Sequence, residues 1–274
     1  MVIWPNHGGI VRPARLLHAT FSAILLALGV MFGASPASAA TGPYVALGDS
    51  YSSGEGAGSY TSSSGSCHRS PNAYPQLWAQ ANSPSSFSFV ACSGARTQDV
   101  ISNQLGSLNS ATSLVTVSAG GNDAGFASVM QTCVLQGTNA CLTAVNNAKS
   151  FATNQLPARL DSLYSQIRNR APNSRVVVLG YPHLYKIDST CSFEISDQSR
   201  SAINSAADTI DSVIAERASS YGFAFGDVRG IFTNHEICSD DWWVNSTRIA
   251  VHESYHPNAK GHSQGYLPTL FAKD

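Results

Sequence analysis

The sequence predicts an α/β fold in which a parallel sheet of five strands is covered by helices on both faces. Two observations carry that expectation. Short runs rich in β-branched and aromatic residues alternate with longer segments of helical period over residues 44–227, and strands that alternate with helices pair in parallel through right-handed crossovers. The run Arg175-Val176-Val177-Val178-Leu179-Gly180 is apolar without alternation, as a strand buried on both faces requires.

Taken in order, the first strand is Tyr44-Val45-Ala46-Leu47, and it runs into the small-residue turn Gly48-Asp49-Ser50. A Ser/Gly-dense loop follows at 59–71, then a short helix at 73–82 whose Tyr74, Leu77 and Trp78 share a face. Residues 86–92 alternate and then turn apolar, which predicts the second strand, ending in the tight turn 93–97. The third strand, 114–118, leads into Ala119-Gly120-Gly121-Asn122-Asp123. Residues 124–136 are expected to be helical and to be followed by a loop holding Cys133 and Cys141. Leu156, Leu160, Leu163, Tyr164 and Ile167 form a stripe within one long helical stretch, 142–170, that Pro157 breaks or kinks. After the fourth strand, 175–180, a helix at 196–219 presents Ile203, Ala206, Ala207, Ile210, Val213 and Ile214 on one face, and 223–227 is the fifth strand. A terminal helix is expected after Gly261-His262.

The first 39 residues obey other rules. Arg12 and Arg15 precede an apolar run at 21–32, and small residues end in Ala37-Ser38-Ala39, the pattern of a secretory leader with its cleavage site. The run is too short for a permanent membrane anchor. The expected organisation is therefore a leader at 1–39, removed after Ala39, and one domain at 40–274, with no linker or repeat dividing it. The chain carries 16 Lys and Arg against 17 Asp and Glu, a balance that argues against nucleic acid as a partner. Export also bears on the cysteines, all six of which lie beyond the leader. An even set outside the cell forms disulfides, and sequential pairing, Cys67 with Cys92, Cys133 with Cys141 and Cys191 with Cys238, is the working expectation. With no C-x-x-C, zinc is the weaker reading.

In open parallel sheets, ligands bind beyond the carboxyl ends of the strands. Ser50, Gly94 and Asn122 each follow one of the first three strands, and His252-Glu253-Ser254-Tyr255-His256-Pro257-Asn258 stands near the other end of the chain. A serine hydroxyl is a poor nucleophile without a base to take its proton, and histidine titrates in the right range. A group facing histidine Nδ1 fixes the tautomer that leaves Nε2 for the serine. Donors aimed at the developing oxyanion complete the chemistry.

Gly48-Asp49-Ser50-Tyr51-Ser52, Gly94, Gly121-Asn122-Asp123 and His256-Pro257-Asn258 with Gly261-His262 resemble, in order, the four blocks of the SGNH (GDSL) hydrolases. The resemblance implies a flavodoxin-like three-layer α/β/α sandwich. It makes Ser50 the nucleophile and His256 the general base. The Ser50 N–H, the Gly94 N–H and Asn122 Nδ2 become the oxyanion donors, and no metal or organic cofactor is implied. The family commonly has Asp three residues before the histidine, where this chain has Glu253. Glu253 itself, a loop carbonyl such as that of Ser254, or a distant acid such as Asp240 or Asp241 can then orient His256. The carbonyl is favoured, because glutamate would have to fold back on itself. Asp49 and Asp123 read as ordering their turns through Asx-type bonds, and His68, His183, His235, His252 and His262 as structural or surface groups.

The export signal and the motif set resemble the secreted lipase, esterase and phospholipase A1 branch of that family. This implies a monomer that acts on lipid or other ester substrates with transient contact to a lipid surface. Tyr51, Tyr60, Phe126, Tyr181, Trp242, Trp243 and Tyr255 are candidates to line an acyl groove, about half of them being expected near the site. No long apolar lid is visible. A carbohydrate acetyl esterase is the alternative on the same blocks; a non-catalytic binding module would be marked by loss of Ser50, Asn122 or His256, all of which are present.

Overall fold

The computed structural model describes residues 42–187, 189, 191 and 195–274. The leader at 1–39 lies outside the described residues. The strands are β1 (Tyr44–Ala46), β2 (Phe87–Phe89), β3 (Leu114–Val117), β4 (Arg175–Leu179) and β5 (Ala224–Gly226), all parallel, in the order β2-β1-β3-β4-β5. All of β1 and β3 is buried, as is β4 from Val176 onward. These central strands are the apolar runs of the sequence, whereas the edge strand β2 is half-buried.

The strand order dictates where the helices go. Right-handed crossovers put the connection from β1 to β2 on one face and the connections β2 to β3, β3 to β4 and β4 to β5 on the other, because the chain reverses its direction across the sheet. Accordingly α2 (Tyr74–Asn82) packs with the C-terminal α9 (Leu267–Phe271), while α3 (Thr97–Asn103), α5 (Gly137–Asn154), α6 (Leu156–Arg170) and α7 (Asp197–Ser220) pack with one another. The reversal falls between β1 and β3, which is the switch point where such sheets open a crevice. Ser50 and Asn122 follow those two strands.

Two expectations are corrected. Cys133 and Cys141 do not lie in a loop: they sit in α4 (Phe126–Leu135) and α5, and their disulfide ties the two helices across the turn at Gln136. The stretch 142–170 is not one kinked helix, because α5 stops at Asn154 and α6 begins at Leu156 with Pro157 in its first turn, where its missing N–H costs nothing. Residues after the turn at 93–97 form α3, at whose start the Asp99 carboxylate accepts from the Arg96 N–H at 2.9 Å. The other two disulfides join Cys67 to Cys92 and Cys191 to Cys238. Among the described residues no helix is long and apolar enough to cross a membrane.

Candidate active site

The turn after β1 is built around Gly48. Its backbone is left-handed (φ 126°), and a Cβ there would stand 2.6 Å from the Ser118 carbonyl oxygen at the end of β3. Only glycine lets the two strand ends approach so closely. Its N–H donates to Gln104 Oε1 (2.8 Å) and its carbonyl accepts from Gln104 Nε2 (2.9 Å), so a buried amide satisfies both backbone groups. Asp49 then caps the short helix α1 (Ser50–Ser53), accepting from the Tyr51 N–H at 3.0 Å. Ser50 is the first residue of that helix, so its N–H has no carbonyl within the helix to bond.

Asp49 is buried beneath Ser50 and accepts two further bonds, from Ser118 Oγ (2.6 Å) and Tyr181 Oη (2.5 Å). Burial pushes its pKa up to about 6, against the pull of those donors. Tyr181, expected only as groove lining, also accepts from the Gly121 N–H (3.1 Å), so one phenol ties the turns after β1 and β3 together. Nothing in the residue pattern marks that role, since Tyr181 is one aromatic among many and its partners are 132 and 60 positions away.

His256 reaches the same place from the far end of the chain. Its Nε2 lies 2.8 Å from Ser50 Oγ and its Nδ1 lies 3.0 Å from the Ser254 carbonyl oxygen. A carbonyl only accepts, so the proton of the neutral ring belongs on Nδ1 and Nε2 is left to accept from the serine. Tyr255, between them, has a left-handed backbone (φ 64°) that turns the Ser254 carbonyl back onto the ring. That conformation is unfavourable for a tyrosine and is held by its neighbours. Tyr255 N–H donates to Asn245 O, Asn245 N–H donates to His256 O (2.9 Å each), and Tyr51 Oη donates to Tyr255 O at 2.7 Å. His256 is 8% exposed, and its ring centroid lies 5.2 Å from that of Tyr51. Burial pulls its pKa down to about 4, opposed by the Ser254 carbonyl.

Glu253 is engaged elsewhere, its Oε1 accepting from Tyr60 Oη at 2.7 Å. Asp241 pairs with Lys260 Nζ (2.6 Å), and Asp240 is exposed. Asn122 shares a cleft with Ser50 and spends one amide hydrogen on the Ala95 carbonyl (3.1 Å), leaving the other. Gly94 lies in the turn hung from β1 by the Cys92 N–H to Gly48 O bond (3.0 Å). In that turn the N–H groups of Ser93 and Ala95 are taken by Cys67 O and Cys92 O. Among the described residues Asp123 makes no Asx-type bond to its own turn, but accepts from both the N–H and the hydroxyl of Thr97 and so ties the turn after β3 to the start of α3.

The cleft at Ser50 is lined almost wholly by apolar groups, with Phe126, Val129 and Met130 from α4 and Ile203, Ala206 and Ile210 from α7. Of the seven candidate aromatics, Tyr51, Phe126 and Tyr181 line it. Tyr60 instead engages Glu253, Trp243 stacks on His235, and Trp242 borders a different depression. His183 pairs with Asp208, and buried His262 accepts from the Tyr74 N–H. His68 and His252 stand together at Glu55.

A hydroxyl bonded to a neutral, buried imidazole and opening onto an apolar cleft is suited to nucleophilic acyl transfer. Similarity to known proteins points the same way. The chain matches the GDSL-like Lipase/Acylhydrolase family over residues 46–264. Lipase 1 of Streptomyces coelicolor is 53% identical over 265 residues, spanning 95% of this chain and 98% of that protein. The crystal structure of phospholipase A1 from Streptomyces albidoflavus NA297 superimposes with a TM-score of 0.84 at 58% identity, covering 86% of this chain and all of that one. An extracellular lipase from Streptomyces rimosus superimposes equally well at 54% identity and the same coverage. On the family match and these relatives, the chain belongs to the GDSL-like lipase/acylhydrolase family and is a carboxylic ester hydrolase.

Proposed function

We propose that this protein is an exported hydrolase of acyl lipids, working through an acyl-enzyme on Ser50 after removal of residues 1–39. His256 Nε2 takes the Ser50 proton as Oγ attacks the ester carbonyl. The tetrahedral oxyanion is met by the Ser50 N–H, the Gly94 N–H and Asn122 Nδ2. His256 then gives its proton to the departing alcohol, and water, activated by the same ring, releases the fatty acid. The Ser254 carbonyl holds the ring through Nδ1–H, so that neither Glu253 nor a distant acid is needed in that place.

The observation that carries the substrate class is the apolar lining of the cleft at Ser50, supplied by α4 and α7. Each methylene buried there contributes about 0.8 kcal/mol, which favours long acyl chains over acetyl. An acetyl-sugar esterase would instead need polar groups around its sugar, and the lining offers few. The test is a panel of triglycerides, phospholipids and acetylated sugars, with mass spectrometry of the products. Release of long-chain fatty acids is expected, and Ala206→Trp should reduce long-chain turnover at least tenfold more than turnover of butyrate esters. Preference for acetylated sugars would overturn the reading.

A further inference from the structure

Just past the end of α1, three metal-binding side chains from distant parts of the chain converge. Glu55 is 1% exposed, and its Oε1 lies 2.9 Å from His68 Nδ1 and 2.6 Å from His252 Nδ1. The two imidazoles are stacked with centroids 4.4 Å apart. Among the described residues this is the group of His, Cys, Asp or Glu whose donor atoms gather closely enough to hold a metal ion, within 4.8 Å of one another.

We propose that Glu55, His68 and His252 form a structural site for a divalent transition-metal ion of the zinc type, completed by water. Two imidazole nitrogens and one carboxylate oxygen are a donor set that zinc accepts in tetrahedral sites with one open position. Neighbouring ligands of such an ion stand about 3.3 Å apart, given bonds of about 2.0–2.2 Å. From 2.9 and 2.6 Å, the separations of Glu55 Oε1 from the two imidazole nitrogens have to widen by about 0.4 and 0.7 Å. His68 and His252 are 28% and 45% exposed, which leaves a route for the ion and room for water.

The surroundings are organised for ligands. Metal-bound carboxylates are held by an outer hydrogen bond, and Ser93 Oγ donates to Glu55 Oε2. His68 and Ser93 are the residues that follow Cys67 and Cys92. One disulfide therefore places a ligand and the outer donor to another, and Ser93 N–H to Cys67 O (3.2 Å) ties them further. Glu55 N–H donates to Ser50 O (3.1 Å), and His252 lies in the 3₁₀ turn Val251–Glu253 that precedes Ser254. An ion at this site joins the nucleophile's helix, the disulfide loop and the histidine loop. It touches no reacting atom, and its effect is read on stability.

The test is calorimetric titration of Zn²⁺ into the chelator-stripped, disulfide-intact secreted protein, with melting temperature measured in parallel. Saturable binding at one ion per chain is expected, with a rise in melting temperature that follows occupancy. His68→Gln and His252→Gln should each abolish the rise. Ser93→Ala leaves all three ligands in place and should weaken binding by about 10–100-fold. The two histidine variants change exposed side chains, so they remain informative if Glu55→Gln fails to fold. No saturable binding, or binding unchanged in both histidine variants, would overturn the proposal. So would zinc uptake that is lost in His256→Ala and retained in His68→Gln.

Discussion

At the scale of the residue, the proposed chemistry rests on one imidazole held in one tautomer. Because the Ser254 carbonyl faces Nδ1 and Glu253 is bonded to Tyr60, Glu253→Ala is expected to lower kcat for nitrophenyl esters by less than about tenfold. Ser50→Ala and His256→Ala should each lower it by three or more orders of magnitude, a loss typical of removing a nucleophile or its base. A Glu253→Ala defect as deep as that of His256→Ala would show that the carboxylate orients the ring. The second expectation concerns pH. The base works only when neutral, and burial pulls its pKa down to about 4 from the ordinary 6.5. As pH falls, kcat/KM should stay level through 6.5 and drop only as pH passes about 4, tenfold per unit below that. A limb centred near 6.5 would mean that water reaches the ring far more than its burial indicates.

At the scale of the element, the strand-end turns and the helices that cross them set the site. The approach of α7 to the end of β4 depends on Gly180, where a Cβ would lie 2.6 Å from Asp211 Oδ2. Asp211 is fully buried on α7 and accepts from the Tyr181 N–H at 2.9 Å, which anchors the phenol that bridges the two catalytic turns. Burial pushes the Asp211 pKa up to about 8. In the unfolded chain it returns to 3.8, so between 3.8 and 8 the folded state binds more protons. This group's contribution to stability then falls by about 1.4 kcal/mol for each unit of rising pH in that window and is level above it. Asp211→Asn keeps the acceptor for Tyr181 and removes the titration. The variant's melting temperature relative to the parent should therefore climb steadily from pH 5 to pH 8. A difference that does not change with pH would show that Asp211 is ionised in the fold.

At the scale of the whole molecule, the order β2-β1-β3-β4-β5 puts the switch point between the strands that carry Ser50 and Asn122, and the long connection that follows β5 brings His256 in from the far end of the chain. The basic start, apolar run and small-residue end of residues 1–39 are the pattern on which the proposed export rests. Protein recovered from culture medium should therefore begin at Ala40 on N-terminal sequencing, and a retained leader would count against export by this route.

Much of this was legible in one dimension because it rests on local patterns. The strands β1, β3 and β4 are apolar runs, and a buried parallel strand has to be one. The stripe on α6 and the face of α7 follow from helical period. Ser50, Gly94, Asn122 and His256 announce themselves because strand-end turns and a histidine followed by proline are short, recognisable words. The boundary between α5 and α6 was not legible, since Pro157 at a helix start and Pro157 at a kink leave the same letters. The same holds for Cys133 and Cys141, whose eight-residue separation suits a loop or two helices joined by a turn.

What the sequence determined by itself was the fold class, the family and the residue types that carry the reaction, because period and motif are properties of neighbours along the chain. Only the tertiary structure decided which group faces His256 Nδ1, that Tyr181 joins the turns of Ser50 and Asn122, and that His252 meets Glu55 across 197 positions. Those contacts depend on where loops of very different sequence position come to rest. A hydrogen bond over 2.6–3.1 Å has no signature in spacing once the chain between its ends has folded around a sheet.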